Sequence, residues 1–225
     1  MPGAIPDNGI IAELKGVIPE PLAGKISAAS GIWNTNIQFR KGRKYRVSAA
    51  SGKGKSTFTG ILYGLRTDFS GSASLLGQDV KATGPGQWAE ARQKEVSIIF
   101  QDLRLFLNRT ARENLAVKAS LSGKDAESYM KHAEELANLL GVLPLFDRTC
   151  GTLSYGERQR IAIIRALVQP FSLLLMDEPF SHLDDANIAI ATKLVTDECI
   201  ARNAGYIVTS LGHDYFPGAD ESLYF

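Results

Sequence analysis

The run SGKGKST at residues 51 to 57 places two glycines, a lysine and adjacent hydroxyls where a polyphosphate could be held. Such an anion needs many donors converging on it with no side chains in the way. A helix starting directly behind the loop adds the positive end of its dipole. Gly52 and Gly54 allow the tight turn, and Ser51 and Lys53 complete its backbone. Lys55 reaches the β- and γ-phosphates, Ser56 offers its hydroxyl to Mg²⁺, and Thr57 adds a further phosphate contact. The full phosphate-loop pattern asks for glycine at position 49, where this chain has Ala49. An ordinary backbone there leaves the loop amides in place; a positive φ would cost alanine roughly 1–2 kcal/mol.

Two carboxylates, Asp177 and Glu178, close the apolar run LLLM and precede Pro179. At the carboxyl end of a strand they sit where ligands of open α/β sheets bind. Asp177 is then suited to hold Mg²⁺ through water, and Glu178 to polarise an attacking water as general base. Gln101 follows the apolar run VSIIF. LSYGERQR at 153 to 160 pairs Ser154 with Glu157 in the S-x-x-E spacing of a capping box, which by itself explains neither Gly156 nor the RQR that follows. Downstream, PFSHLD ends on Asp184.

These residues must be positioned by strands and helices that alternate along the chain. Strands are expected over IIAELK (10–15), IWNTNIQF (32–39) and YRVSA (45–49), the last feeding the glycine loop. A helix should follow over 57–65, with Phe58, Ile61, Leu62 and Leu65 at helical spacing. Then come a turn at Gly71, a strand SASLL, a loop through Gly84, Pro85 and Gly86, and the strand VSIIF. The middle reads as helical, with Met130, Ala133, Ala137 and Leu140 forming one apolar stripe that Gly141 ends. Beyond it lie a helix over 155–168, a strand over 171–176, a helix over 185–202 and the strand YIVTS. Fully apolar strands between helices argue for a mostly parallel sheet covered on both faces.

Bulk composition sets the limits. A chain of 225 residues, 44% hydrophobic and 22% charged, suits one α/β core with a subdomain. The apolar stretch Ile161 to Val168 is short and interrupted by Arg165, so it does not span a bilayer. Pro2, Gly3, Pro6, Asp7 and Asn8 do not fit a secretory leader, and the expected compartment is the cytosol. Cys150 and Cys199 read as reduced structural thiols. With 25 basic and 24 acidic residues there is no global field to hold nucleic acid, which is not expected as a partner.

The motifs and their order resemble those of ATP-binding cassette (ABC) transporter ATPases, with a looser likeness to the lipoprotein-releasing and macrolide-exporting branch. LSYGERQR is similar to the family's LSGGQ-x-Q-R signature, with Tyr155 in place of one glycine and Glu157 in place of glutamine. VSIIFQD resembles the Q-loop, which implies that Gln101 contacts Mg²⁺ and senses the partner subunit, and PFSHLD resembles the D-loop. The resemblance implies an α/β fold: a P-loop NTPase core over 1–100 and 166–225, an antiparallel β subdomain near the N-terminus, and an inserted helical subdomain over about 101–165. It implies ATP and Mg²⁺ as cofactors and ATP hydrolysis as the activity. A head-to-tail partnership with a second cassette is implied too, in which Ser154, Tyr155, Gly156 and Glu157 of one chain grip the nucleotide held by the loop of the other, and Asp184 communicates across the dimer.

An integral membrane permease would be the further partner, holding the chain at the inner face of the membrane, and Leu103, Leu105 and Phe106 would offer it an apolar patch. Two points depart from the family. Its switch histidine falls on Ser210 by simple alignment, with His213 three residues on, and no aromatic residue precedes Trp33 to stack on adenine. Trp33 is expected in a strand and in the core. Two other roles stay open: a non-transport ATPase that regulates a protein partner, and a slow nucleotide-gated module.

Overall fold

Residues 9–27, 29–121, 126–212 and 214–225 are described by the computed structural model. Among them the chain runs through β1 (Ile10–Pro19), β2 (Asn36–Arg40), β3 (Lys44–Ser48), α1 (Lys55–Leu62), β4 (Phe69–Leu75), β5 (Gln78–Asp79), α2 (Pro85–Lys94) and β6 (Val96–Ile99). It continues through α3 (Ala111–Leu121), α4 (Ala126–Leu139), α5 (Tyr155–Leu167), β7 (Leu173–Asp177), α6 (Asp185–Arg202), β8 (Gly205–Ser210) and β9 (Glu221–Tyr224).

The apolar strands β6, β7 and β8 are buried along their whole length. Such strands cannot face water on either side, and they form the middle of a parallel sheet ordered β6-β7-β8-β3-β9. The parallel register brings the ends of β3, β7 and β8 to one edge: Asp177 lies opposite Thr209, and Ser48 opposite Ser210. A second, antiparallel sheet is ordered β2-β1-β4-β5. Phe58, Ile61 and Leu62 of α1 join the apolar cluster beneath this second sheet, whereas α3, α4, α5 and α6 share a cluster built on Leu115, Leu136, Ile161 and Val195. The fold is thus α/β with a parallel core sheet and an antiparallel sheet, as expected.

Several local expectations are corrected. Residues 32–35 form a turn, and β2 begins only at Asn36, so Trp33 belongs to the core without belonging to a strand. Gly71 lies inside β4 at φ 77°, and a Cβ there would stand 2.3 Å from the Gly16 carbonyl oxygen. It is a close backbone crossing at the irregular pairing of β1 and β4, not a turn. The stretch expected as a loop through Gly84, Pro85 and Gly86 starts α2. Gly84 is its N-cap, its amide donating to the Gln87 side chain at 3.1 Å, and Pro85 takes the first helical position, where its missing N–H is no loss. Only Trp88 and Ala91 of that helix are buried, too few for a legible stripe. Beyond the strand YIVTS the core sheet also gains β9, which no expectation covered and which pairs with β3.

Candidate functional site

The loop between β3 and α1 turns back on Gly52 (φ 76°) and Gly54 (φ 99°), values that glycine adopts without strain. Gly54 also has no room for a side chain: a Cβ would meet Leu22 Cδ1 at 2.6 Å and the Trp33 ring at 3.1 Å. Trp33 braces the loop through its indole N–H, which donates to the Lys53 carbonyl at 3.2 Å. Ala49 is absent from the residues with positive φ, so the strain that alanine would suffer in that region does not arise, and its amide donates to the Ser210 carbonyl.

Helix α1 begins at Lys55 and directs its first residues into the site. The buried Lys55 ammonium donates to the Ala49 and Ala50 carbonyls, each at 3.2 Å, and lies 3.2 Å from Glu178 Oε1. Glu178 follows the end of β7 with φ 47°, a left-handed conformation that costs a non-glycine residue about 1–3 kcal/mol. Ser56 donates to Gln101 Oε1 at 3.4 Å. Asp177 accepts from Thr209 Oγ1 at 2.7 Å, and burial raises its pKa above the ordinary carboxylate value despite bonds from Ser56 and Thr209. A bay of about 250 Å³ is walled by Gly52, Lys55, Ser56, Thr57, Gln101 and Glu178. A neighbouring cavity of about 430 Å³ shares Ser56 and Gln101 and adds Asp177 and Tyr155.

The Ser56 hydroxyl, the Gln101 amide oxygen and the Asp177 carboxylate offer only oxygen, the donor chemistry that suits Mg²⁺. A cation there would also offset the burial that disfavours the Asp177 charge.

Ser154 caps α5 as its spacing predicts. Its hydroxyl accepts from the Glu157 amide at 3.2 Å, and the Ser154 amide donates to Glu157 Oε2 at 2.7 Å, which lowers the Glu157 pKa. Gly156 packs against the 179–184 loop, where an added Cβ would stand 3.1 Å from the His182 carbonyl oxygen. Asp184 caps α6, accepting from the Asn187 amide at 2.8 Å. Ser154, Gly156 and Glu157 wall neither cavity. Tyr155 is the exception, since its ring turns back onto its own chain and its hydroxyl donates to the Gln101 carbonyl at 2.8 Å.

Ser210 is buried at the end of β8, and His213 lies outside the described residues.

Three residues were not read from sequence as part of this arrangement. Gln159, fully buried, donates to the Pro179 carbonyl at 2.6 Å and accepts from the His182 amide at 3.2 Å, joining α5 to the loop after β7. Thr209 orients Asp177 from the neighbouring strand. Tyr215 lies near Glu178, and its phenol pKa is raised by burial and then by that carboxylate. The Q of RQR was a signal for the first; nothing local marks the other two.

A family described as "ABC transporter" matches residues 32–181. The methionine import ATP-binding protein MetN of Geobacillus kaustophilus is 32% identical over 187 residues, covering 83% of this chain and 54% of that protein. The lipoprotein-releasing system ATP-binding protein LolD of Buchnera aphidicola subsp. Schizaphis graminum is 32% identical, covering 80% and 77%. The macrolide export ATP-binding/permease protein MacB of Psychrobacter cryohalolentis is 29% identical, covering 91% and 30%. The chain therefore spans about half the length, or less, of several curated relatives that it matches. In fold, it is similar to the dimeric bacterial ABC transporter cassette MJ0796, with a TM-score of 0.76 over 88% of each chain at 22% identity.

Proposed function

This chain belongs to the ABC transporter family, and on that premise we propose that it binds and hydrolyses ATP as one of two cassettes that together power a membrane permease. The observation that carries the proposal is convergence. Four segments far apart in sequence bring Lys55 and Ser56, Gln101, Asp177 and Glu178, and Thr209 to one edge of the parallel sheet.

In this reading the loop amides and Lys55 hold the phosphates. Ser56, Gln101 and Asp177 hold Mg²⁺, which neutralises phosphate charge when bound. Glu178 polarises the attacking water, and its present partner Lys55 turns to the nucleotide. A cavity of about 210 Å³ beside the loop, walled by Leu22, Ile26, Trp33 and Gly52, offers an apolar place for the base. Because Ser154 and Gly156 wall neither cavity of their own chain, they are assigned to the nucleotide of a second cassette, with Asp184 nearby at its helix start.

The permease role rests on kinship with proteins named for import, export and lipoprotein release. No helix among the described residues is long and apolar enough to cross a membrane. We therefore place the chain at the inner membrane face through its permease. The apolar patch expected at Leu103, Leu105 and Phe106 is redrawn: Leu103 is buried, whereas Phe106 is 54% and Val117 42% exposed, both beside the same groove.

Phosphate release by the purified chain with Mg²⁺ and ATP tests the enzymatic part, and copurification with an integral membrane protein tests the transport part. A chain that binds ATP but releases no phosphate, even with its membrane partner, would overturn the first.

A further inference from the structure

The turn after Gln101 is held in an unfavourable shape. Leu103 (φ 60°) and Arg104 (φ 48°) are consecutive left-handed residues, and neither is glycine. Such a pair persists only where the surroundings over-determine it. Within the turn, the Leu103 and Arg104 amides donate to the Phe100 and Asp102 carbonyls, and Arg104 pairs with Asp102 and lies over the Phe100 ring; from outside it, the hold on its carbonyls comes from one helix. From the start of α5, Tyr155 Oη donates to the Gln101 carbonyl at 2.8 Å. Ten residues along the same helix, the guanidinium of Arg165 donates to the Leu103 and Arg104 carbonyls, both at 2.6 Å. Three carbonyls of a four-residue turn are thus taken by two side chains of α5. Tyr155 is held in its turn: its ring lies 4.0 Å, centroid to centroid, from that of His182, and Arg158 stacks over it at 5.4 Å.

Gln101 is also the residue whose side chain meets Ser56 at the site assigned to Mg²⁺. We propose that Tyr155 and Arg165 are positioning residues for Gln101, a clamp by which α5 fixes the strained 101–104 turn and ties the metal side of one chain's site to the surface begun by Ser154. Tyr155 then gains a role that glycine at this position could not fill. Because both residues lie on one rigid helix, a shift of the 154–157 surface moves the turn, and occupation of the metal site is felt at that surface. The inference rests on the nucleotide-site reading for its metal, but the clamp itself is a property of the unliganded chain.

The test is Mn²⁺ binding, read by electron paramagnetic resonance, to the chain loaded with a non-hydrolysable ATP analogue, together with hydrogen exchange of the 101–105 amides in the unliganded protein. Tyr155→Phe and Arg165→Lys should each weaken Mn²⁺ binding roughly fivefold, the effect of losing one hydrogen bond. They should also speed exchange in the turn by a similar factor. Metal-free affinity of Arg165→Lys for the analogue should stay within twofold of the parent, which a general loss of structure would not allow. Should Arg165→Lys fail to fold, Tyr155→Phe decides alone, since it removes one hydroxyl and keeps the ring. Parent-like Mn²⁺ affinity and parent-like exchange in Tyr155→Phe would overturn the clamp. A parent chain that binds no metal–nucleotide complex would instead overturn the nucleotide-site reading, and the exchange measurement would still decide the clamp.

Discussion

Lys55 and Glu178 form a buried ion pair at 3.2 Å, so the cation proposed to bind phosphate and the carboxylate proposed to polarise water hold each other. On the proposed function, phosphate takes Lys55 from this partner and so frees the carboxylate for water. Glu178→Gln should therefore lower the hydrolysis rate by about 10²–10⁴-fold, the usual contribution of a general base. Nucleotide affinity should be retained or rise, because a neutral amide competes less for Lys55. Parallel phosphate-release and equilibrium-binding measurements check this; equal turnover in mutant and parent contradicts it.

Lys55→Ala should abolish nucleotide binding at concentrations that saturate the parent. It also strands Glu178, a buried charge at a strained backbone, and loss of one member of such a pair destabilises by about 3–5 kcal/mol. Urea unfolding would show both consequences in one protein, since ATP should stabilise the parent and leave the variant unmoved.

Asp177 supplies a pH dependence of definite sign. Its folded-state pKa is raised from 3.8 by burial, so its contribution to stability is fully present below 3.8 and is lost as pH rises through the raised value. Metal binding runs the other way, because it needs the charged form. Mg²⁺-dependent nucleotide affinity should fall on acidification at a higher pH than an ordinary carboxylate would give. Asp177→Asn should remove that step and weaken metal binding at least tenfold. It should also raise the melting temperature of the unliganded chain, by about 2–4 °C for each kcal/mol of relieved burial penalty. A melting temperature below the parent's would show that the charge is not the strained element.

Restoring the glycine expected of a phosphate loop should not help. Ala49 already has an ordinary φ, so Ala49→Gly relieves no strain and only enlarges the freedom of the unfolded chain. The expected result is unchanged nucleotide affinity within twofold and a loss of about 0.4–1 kcal/mol of stability. A gain in affinity would mean that the loop reorganises when it binds.

Both thiols are sealed. Cys150 and Cys199 are at most 1% exposed, and burial pushes the Cys199 thiol up to about 12. Neither should react with a disulfide reagent at neutral pH until the protein unfolds, so titration in and out of denaturant should count none and then two. Rapid labelling of native protein would mean that the regions around them open locally.

Short-range chemistry was legible in the sequence. The glycine loop between a strand and a helix, the carboxylate pair closing an apolar strand, and the Ser154–Glu157 box all depend on residues within a few positions of one another, and each stands where its pattern placed it. The central strands were equally plain, because a strand buried on both faces must be apolar throughout. Helix α2 and strand β9 escaped detection because they bury few side chains and leave little periodicity.

Tertiary structure alone decided the rest, since each remaining feature is a contact between segments far apart in the chain. Gly71 reads as a turn until β1 passes within 2.3 Å of where its Cβ would be. Trp33 braces the loop twenty residues ahead of it. Tyr155 and Arg165 sit on a helix whose sequence says nothing of the strained turn at Leu103 and Arg104, more than fifty residues upstream, that they hold. A sequence lists the donors along α5; only the fold shows which carbonyls they meet.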